Sequence, residues 1–219
     1  QPSTFVLNES AATRYLYFWN PIDLNGAART VAVNAAFTAP GTTTFAYMNG
    51  VLSGTGGLTK TGVGLLSLNA TNTYTGATTV STGVLRANDH AGLPGTASAG
   101  GGSNLDLNGG AWESQFDMIR AGGTGQGEMQ ITGGTSGFSA NLPVAVSATL
   151  LAPTNVAFGS YASPTALTWG TAPFNPTAFL LNAASSNNKL NFMNAVDLNG
   201  AVRTLSSTAA TYSINSPNN

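Results

Sequence analysis

The chain has 219 residues, with seven bases against eight acids for a formal charge of −1, and only 7% of it is charged, against about 25% in an ordinary soluble domain. That balance leaves no basic footprint for nucleic acid, and a 42% hydrophobic content at near-zero net charge argues against intrinsic disorder. The absence of cysteine excludes disulfides and thiolate metal sites, and no apolar run reaches the roughly 20 residues of a membrane helix.

Gln1-Pro2 opens no basic and apolar leader, so a secretion signal is expected upstream or already removed. The first forty residues recur near the end. Phe5-Val6-Leu7-Asn8 matches Phe179-Leu180-Leu181-Asn182, and Asp23-Leu24-Asn25-Gly26 matches Asp197-Leu198-Asn199-Gly200, at a constant offset of 174. Over residues 5–30, 13 of 26 positions are identical. Residues 1–45 therefore read as the opening of a 174-residue unit, 46–178 as its remainder, and 179–219 as the start of the next copy. The Asp-Leu-Asn-Gly copies carry oxygen ligands suited to calcium. Asn25-Gly26, Asn108-Gly109 and Asn199-Gly200 read instead as tight turns, because Asn-Gly favours positive φ.

Ala11 to Phe18 reads as a strand, since its even members Leu16 and Phe18 recur as Leu190 and Phe192. Their alternates Tyr15, Tyr17 and Trp19 become Lys189, Asn191 and Met193. A face that is aromatic in one copy and largely polar in the other is expected to point outward. Three outward aromatics on one strand make an apolar patch of the kind that marks a contact.

From Gly54 to Arg86, short runs rich in Thr, Val and Leu alternate between glycines, with strand periodicity from Tyr74 to Val80. Leu66, Leu85 and Leu105 recur at 19 and 20 residues. A short strand that returns about every twenty residues suits a coil stacking on its predecessor. The expected fold is all-β, a right-handed β-solenoid (parallel β-helix) of about 20-residue coils. Leu58, Leu66, Leu68, Val80, Leu85, Leu105 and Leu107 are expected inside, and Thr75, Thr79, Lys60 and Arg86 outside.

This stretch also resembles a known family. Gly56-Gly57-Leu58-Thr59-Lys60-Thr61-Gly62-Val63-Gly64, then Asn72-Thr73-Tyr74-Thr75-Gly76 and Gly83-Val84-Leu85-Arg86, is similar to the autotransporter-associated β-strand repeat. Ala77 stands where a glycine is usual, and Leu65 replaces a small polar residue. Gly133 to Ala140 and Leu167-Thr168-Trp169-Gly170 resemble segments of that family's long-repeat version. The resemblance implies a passenger region of a large bacterial surface protein, extracellular or on the cell surface.

Farther along, Met118-Ile119 and Met129 to Ile131 are candidate inward faces, and five prolines between Pro143 and Pro176 place edges or loops there. Little chemistry is visible. His90 follows Asp89 in a polar loop, and adjacency does not make a triad. Glu113 and Asp117 share a strand face about 13 Å apart, too far for a glycosidase pair, although Glu128 on an adjacent coil could approach either. Gly122 to Gly127 lacks the lysine and helix of a phosphate loop. The expectation is a non-enzymatic structural unit without cofactor or metal, building a rod by coil stacking and by head-to-tail assembly with copies of itself, or equivalently as tandem units on one longer chain. The rival is an adhesin displaying a glycan- or protein-binding face, and the third reading is a polysaccharide-degrading β-helix enzyme.

Overall fold

The computed structural model describes residues 4–36, 45–95, 102–142 and 152–209. The chain winds through successive turns. The first holds β1 (Thr4–Val6), β2 (Leu16–Phe18) and β3 (Ile22–Asp23), and the second β4 (Arg29–Ala32), β5 (Phe45–Met48) and β6 (Leu52–Ser53). The third holds β7 (Leu58–Thr61) and β8 (Leu65–Leu68), and the fourth β9 (Thr78–Val80) and β10 (Gly83–Ala87). In the fifth are β11 (Leu105–Asn108), β12 (Gly110–Ser114) and β13 (Met118–Arg120). The sixth has β14 (Met129–Gly133), β15 (Thr135–Ala140), β16 (Thr154–Phe158) and β17 (Leu167–Thr168). The seventh has β18 (Ala178–Leu181), β19 (Leu190–Phe192) and β20 (Val196–Asp197), and β21 (Thr204–Ser206) begins another.

Strands that are distant in sequence stack side by side. One sheet runs β1-β4-β7-β9-β11-β14, and a second runs β2-β5-β8-β10-β12-β15-β18-β21. The returning side is carried by the shorter sheets β3-β6, β13-β16-β19 and β17-β20. Every ladder between these strands is parallel, so the fold is a parallel β-solenoid.

The twenty-residue coil holds only locally. Leu58 pairs with Thr78 and Leu65 with Val84, twenty and nineteen residues on. Gly83 pairs with Gly110, 27 on, and Thr135 with Ala178, 43 on. Leu66 and Leu85 are direct neighbours in the second sheet, whereas Leu105 lies in the first, beside Thr78. The ladder constrains only the strands. Corners on the surface accept extra residues at a cost that grows slowly with length.

The core is a set of columns along the axis. In the first sheet Phe5, Val31, Lys60, Val80, Leu107 and Ile131 follow one another, and in the second Leu16, Ala46, Leu66, Leu85, Trp112, Phe138 and Leu181. Leu58, Leu66, Leu68, Val80, Leu85, Leu105 and Leu107 are all buried, as are Met118, Met129 and Ile131. Full burial of one such side chain contributes about 1.5–3 kcal/mol.

Lys60 departs from expectation: it is fully buried, in the inward phase of β7 with Leu58. Its aliphatic stem continues the column between Val31 and Val80. Its ammonium donates to the carbonyls of Thr61 (2.9 Å), Gly62 (2.7 Å) and Thr82 (3.0 Å), which matches its three donors. Burial still pushes its pKa down to about 7. Thr75 and Thr79 are half-buried.

The Asn-Gly turns are local and regular. Asn25 and Gly26 both take positive φ, as do Asn199 and Gly200, the pattern of a type I′ turn. Asp23 and Asp197 each use Oδ1 to accept the backbone N–H two residues on, at 2.8 and 2.9 Å. Asn108 instead ends β11, where the register shifts, and Gly109 alone takes positive φ.

Candidate functional site, an aromatic outer face

Alternation along the second sheet sends one set of side chains inward and the other out. Ala46 and Met48 of β5 are buried, so Phe45 and Tyr47 face outward. Parallel register sets Tyr17 of β2 beside Tyr47. Their rings stack at 4.8 Å between centroids and 8° between planes. Tyr15 leans on Tyr47 at 5.5 Å, on Phe45 at 5.7 Å and on Tyr17 at 6.1 Å. Tyr15, Tyr17 and Trp19 are 40%, 52% and 70% exposed. Burial, then the neighbouring Tyr15, pushes the Tyr47 hydroxyl up to about 12, with Arg86 pulling the other way, so it stays a neutral donor and acceptor at physiological pH.

The same outer row continues from Tyr17 and Tyr47 through Ser67, Arg86, Glu113 and Ser139. Arg86, half-buried, reaches two ways. Its guanidinium lies over the Phe45 ring at 5.1 Å, and it forks onto Glu113 Oε1, with Nε and a terminal nitrogen each at 2.6 Å. Glu113 is fully buried, because the chain after β18 crosses over it. Its Oε2 accepts from the hydroxyls of Ser139 (2.7 Å) and Ser185. The face thus passes from open aromatic rings to a covered ion pair.

The other candidate groups stay apart. Asp117 accepts from the backbone and side chain of Asn155, and Glu128 Oε2 accepts the Gly125 N–H at 2.7 Å. Neither meets Glu113, so the three carboxylates do not form a glycosidase pair. Asp89 is committed to Arg120, whose Nε and a terminal nitrogen lie 3.0 and 2.6 Å from Oδ1. Arg120 also donates to the carbonyls of Ser103 and Pro94. His90 sits outside this pair, half exposed, with Nε2 3.8 Å from Asp89 Oδ2. Among the described residues no three His, Cys, Asp or Glu side chains converge as metal ligands.

Phe45 and Tyr47 were not anticipated as part of the patch. Their alternation with Ala46 and Met48 was the available signal, but 30 residues separate Leu16 from its partner Ala46, and a twenty-residue coil does not bring them together.

Residues 58–87 match the passenger-associated-transport-repeat, which covers β7 to β10. The chain is 40% identical over 128 residues to the adhesin BmaC autotransporter of Brucella suis, an overlap of 55% of this chain and 4% of that protein. No solved structure matches. Residues 58–87 thus carry a repeat of the passenger-transport type, which goes with a surface-exposed or secreted chain, and the chain is similar to part of an adhesin. It spans a small fraction of that relative's length.

Proposed function

We propose that the chain is a non-enzymatic, rod-building segment of an adhesin-type passenger, in which stacked coils set distance from the cell surface. The observation that carries this reading is the unbroken parallel stacking of the second sheet from β2 to β21. A right-handed wind suits it, the hand taken by about 98% of parallel crossovers. The 174-residue unit supplies about 30 Å of length, at roughly 4.8 Å per turn. Chains of one, two and three units, imaged by negative stain, should lengthen by about that step per unit. Particles that widen without lengthening would remove the rod.

A second role is favoured by the stacked Tyr17 and Tyr47 rings with Tyr15 and Trp19 beside them. An open aromatic face on an adhesin homologue suits contact with a glycan or protein surface. Binding to immobilised glycans and matrix proteins, lost on Tyr17→Ala with Tyr47→Ala while thermal unfolding is unchanged, supports this role. Equal binding by that variant refutes it.

A further inference from the structure

The two copies of the repeated segment lie in different surroundings, and the difference shows what each lacks. Phe5 and Phe18 meet edge to face at 5.2 Å, and Phe179 and Phe192 at 4.8 Å. In the second copy this pair is capped. Phe174 lies 5.0 Å from Phe179, and Phe138 and Trp169 each 6.2 Å from it, while Phe138 and Phe174 stack on Phe192. Phe179 is 2% exposed, whereas Phe5 is 37%. At the first copy Phe5, Phe18, Ile22 and Leu24 instead border an open recess of about 350 Å³. Exposure reverses on the other side of the coil, with Val31 3% exposed and its counterpart Leu205 67%.

The polar groups repeat the pattern. Asn194 clamps the preceding coil, accepting from Phe158 N and donating to the carbonyls of Phe158 and Thr165. Its counterpart Asn20 is exposed at the rim. Arg203 lies over the Trp169 ring at 5.7 Å and donates to the Trp169 carbonyl. Its counterpart is Arg29. Both arginines donate through Nε to the carbonyl five residues back, Leu24 and Leu198, so this turn is held the same way in both copies.

The counterparts do not sit on the same side of the solenoid. β1 belongs to the first sheet and β18 to the second, and β2 belongs to the second sheet while β19 lies on the returning side. From β1 to β18 the chain completes six turns and one side more, the seventh passage of the first side being made at Phe174, which bridges to Ile131.

We propose that the Phe5–Phe18 rim is a docking surface for the aromatic coil made by β15, β16, β17 and Phe174 of a preceding copy of this unit, and that each junction rotates the unit by one side. The register is the one the chain already shows internally. Thr4 falls beside Thr135, Leu16 beside Thr154, and Ile22 beside Leu167, as Ala178, Leu190 and Val196 do. Arg29 then covers the preceding Trp169. Faces such as Tyr15–Tyr17 step around the rod and return to the same side at every third unit. This rests on the rod reading and adds to it a defined joint and a screw.

The test uses a chain of residues 1–174 followed directly by residues 1–219, in a protein with no native cysteine. Thr4→Cys in the second unit should cross-link through a short bis-maleimide to Thr135→Cys in the first. The pair Thr135→Cys with Ala178→Cys in the 219-residue chain is the positive control. A cross-link from Thr4→Cys to Gln130→Cys of the first unit, on the first sheet, would overturn the rotation, and no cross-link to either would overturn the docking. In urea, Phe5→Ala in the second unit should shift the midpoint as far as Phe179→Ala does in the single chain. Phe5→Ala in the single chain should shift it less than half as far. Equal effects of Phe5→Ala in both chains would also overturn the docking. A two-unit chain that fails to lengthen fails the rod itself, whereas one that lengthens but cross-links at Gln130 fails only the rotation.

Discussion

Glu113→Ala tests whether the covered ion pair holds the outer face together. The carboxylate is fully buried and holds Arg86, Ser139 and Ser185, which join β10, β12, β15 and the chain after β18. Hydrogen bonds to a charged group contribute about 1.5–3 kcal/mol each, but they offset a large desolvation cost, so their sum is not the net effect. Removing one partner of a buried pair leaves the other uncompensated and costs about 3–5 kcal/mol. Arg86 keeps the Phe45 ring and some solvent, which places the expected loss near 3. That is a large part of the roughly 5–15 kcal/mol a folded domain has. Urea titration at pH 7, followed by far-UV circular dichroism, reads the loss as a midpoint shift at constant slope. The companion variant Arg86→Met with Glu113→Leu removes both charges and should lose less than Glu113→Ala alone. A single-variant loss under about 1 kcal/mol, or a double variant worse than the single, would refute the reasoning.

Lys60→Met gives a pH signature. With the native pKa near 7 and the ordinary value 10.5, the unfolded chain holds more protons than the folded one between those limits. Wild-type stability should therefore rise with pH across that window relative to the variant, by at most about 1.4 kcal/mol per unit. A flat difference between pH 7 and 9.5 would show that the three carbonyls keep the ammonium charged. Gly83→Ala should destabilise severely, because φ is +70° and the new Cβ would meet the Gly62 and Gly64 carbonyl oxygens at 2.5 Å, with thermal unfolding as the readout. Leu85→Ala, between Leu66 and Trp112 in the core, should cost about 2–5 kcal/mol, and a loss under 1 would place it outside the column.

How much of this was legible in the sequence depended on how local each feature is. The Asn25-Gly26 turn was readable because its conformation is set by its own two residues. The rung from Leu66 to Leu85 was readable because only nineteen residues separate them. Lys60 lies inside, against its residue class, because period prevails: the alternation with Leu58 puts it there, and three nearby carbonyls make that tolerable. Leu65 shows the opposite case. It shares the outward phase of Ser67 yet is 1% exposed, since burial on an outer face is decided by whatever crosses it. The aromatic face was half legible. Tyr15, Tyr17 and Trp19 could be placed outward from the two copies, but Phe45 and Tyr47 join them through a 30-residue turn whose length no local rule sets. Coil length is a property of the corners, and corners are the least constrained part of a solenoid.

The cover over Glu113 differs between the two copies, which yields a last expectation. Residues 182–188 carry Ser185, whose hydroxyl reaches Glu113, and Ser186, whose hydroxyl donates to the Ala140 carbonyl. The first copy has Ala11 and Ala12 at these positions. A unit beginning with that sequence and seated on a preceding aromatic coil has no hydroxyl at the position from which Ser185 reaches that carboxylate. Ser185→Ala reproduces this situation within the present chain. Glu113 would keep the Arg86 fork and Ser139, whose own oxygen also accepts the Ala183 N–H at 3.2 Å, so the covering strand stays anchored. The expected loss is that of one hydrogen bond to a charged group, about 1.5–3 kcal/mol at most, and smaller than for Glu113→Ala. Paired urea titrations of the two variants decide it. If Ser185→Ala costs as much as Glu113→Ala, the serine rather than the ion pair holds the cover, and a unit opening with Ala11 cannot close over its neighbour in the same way.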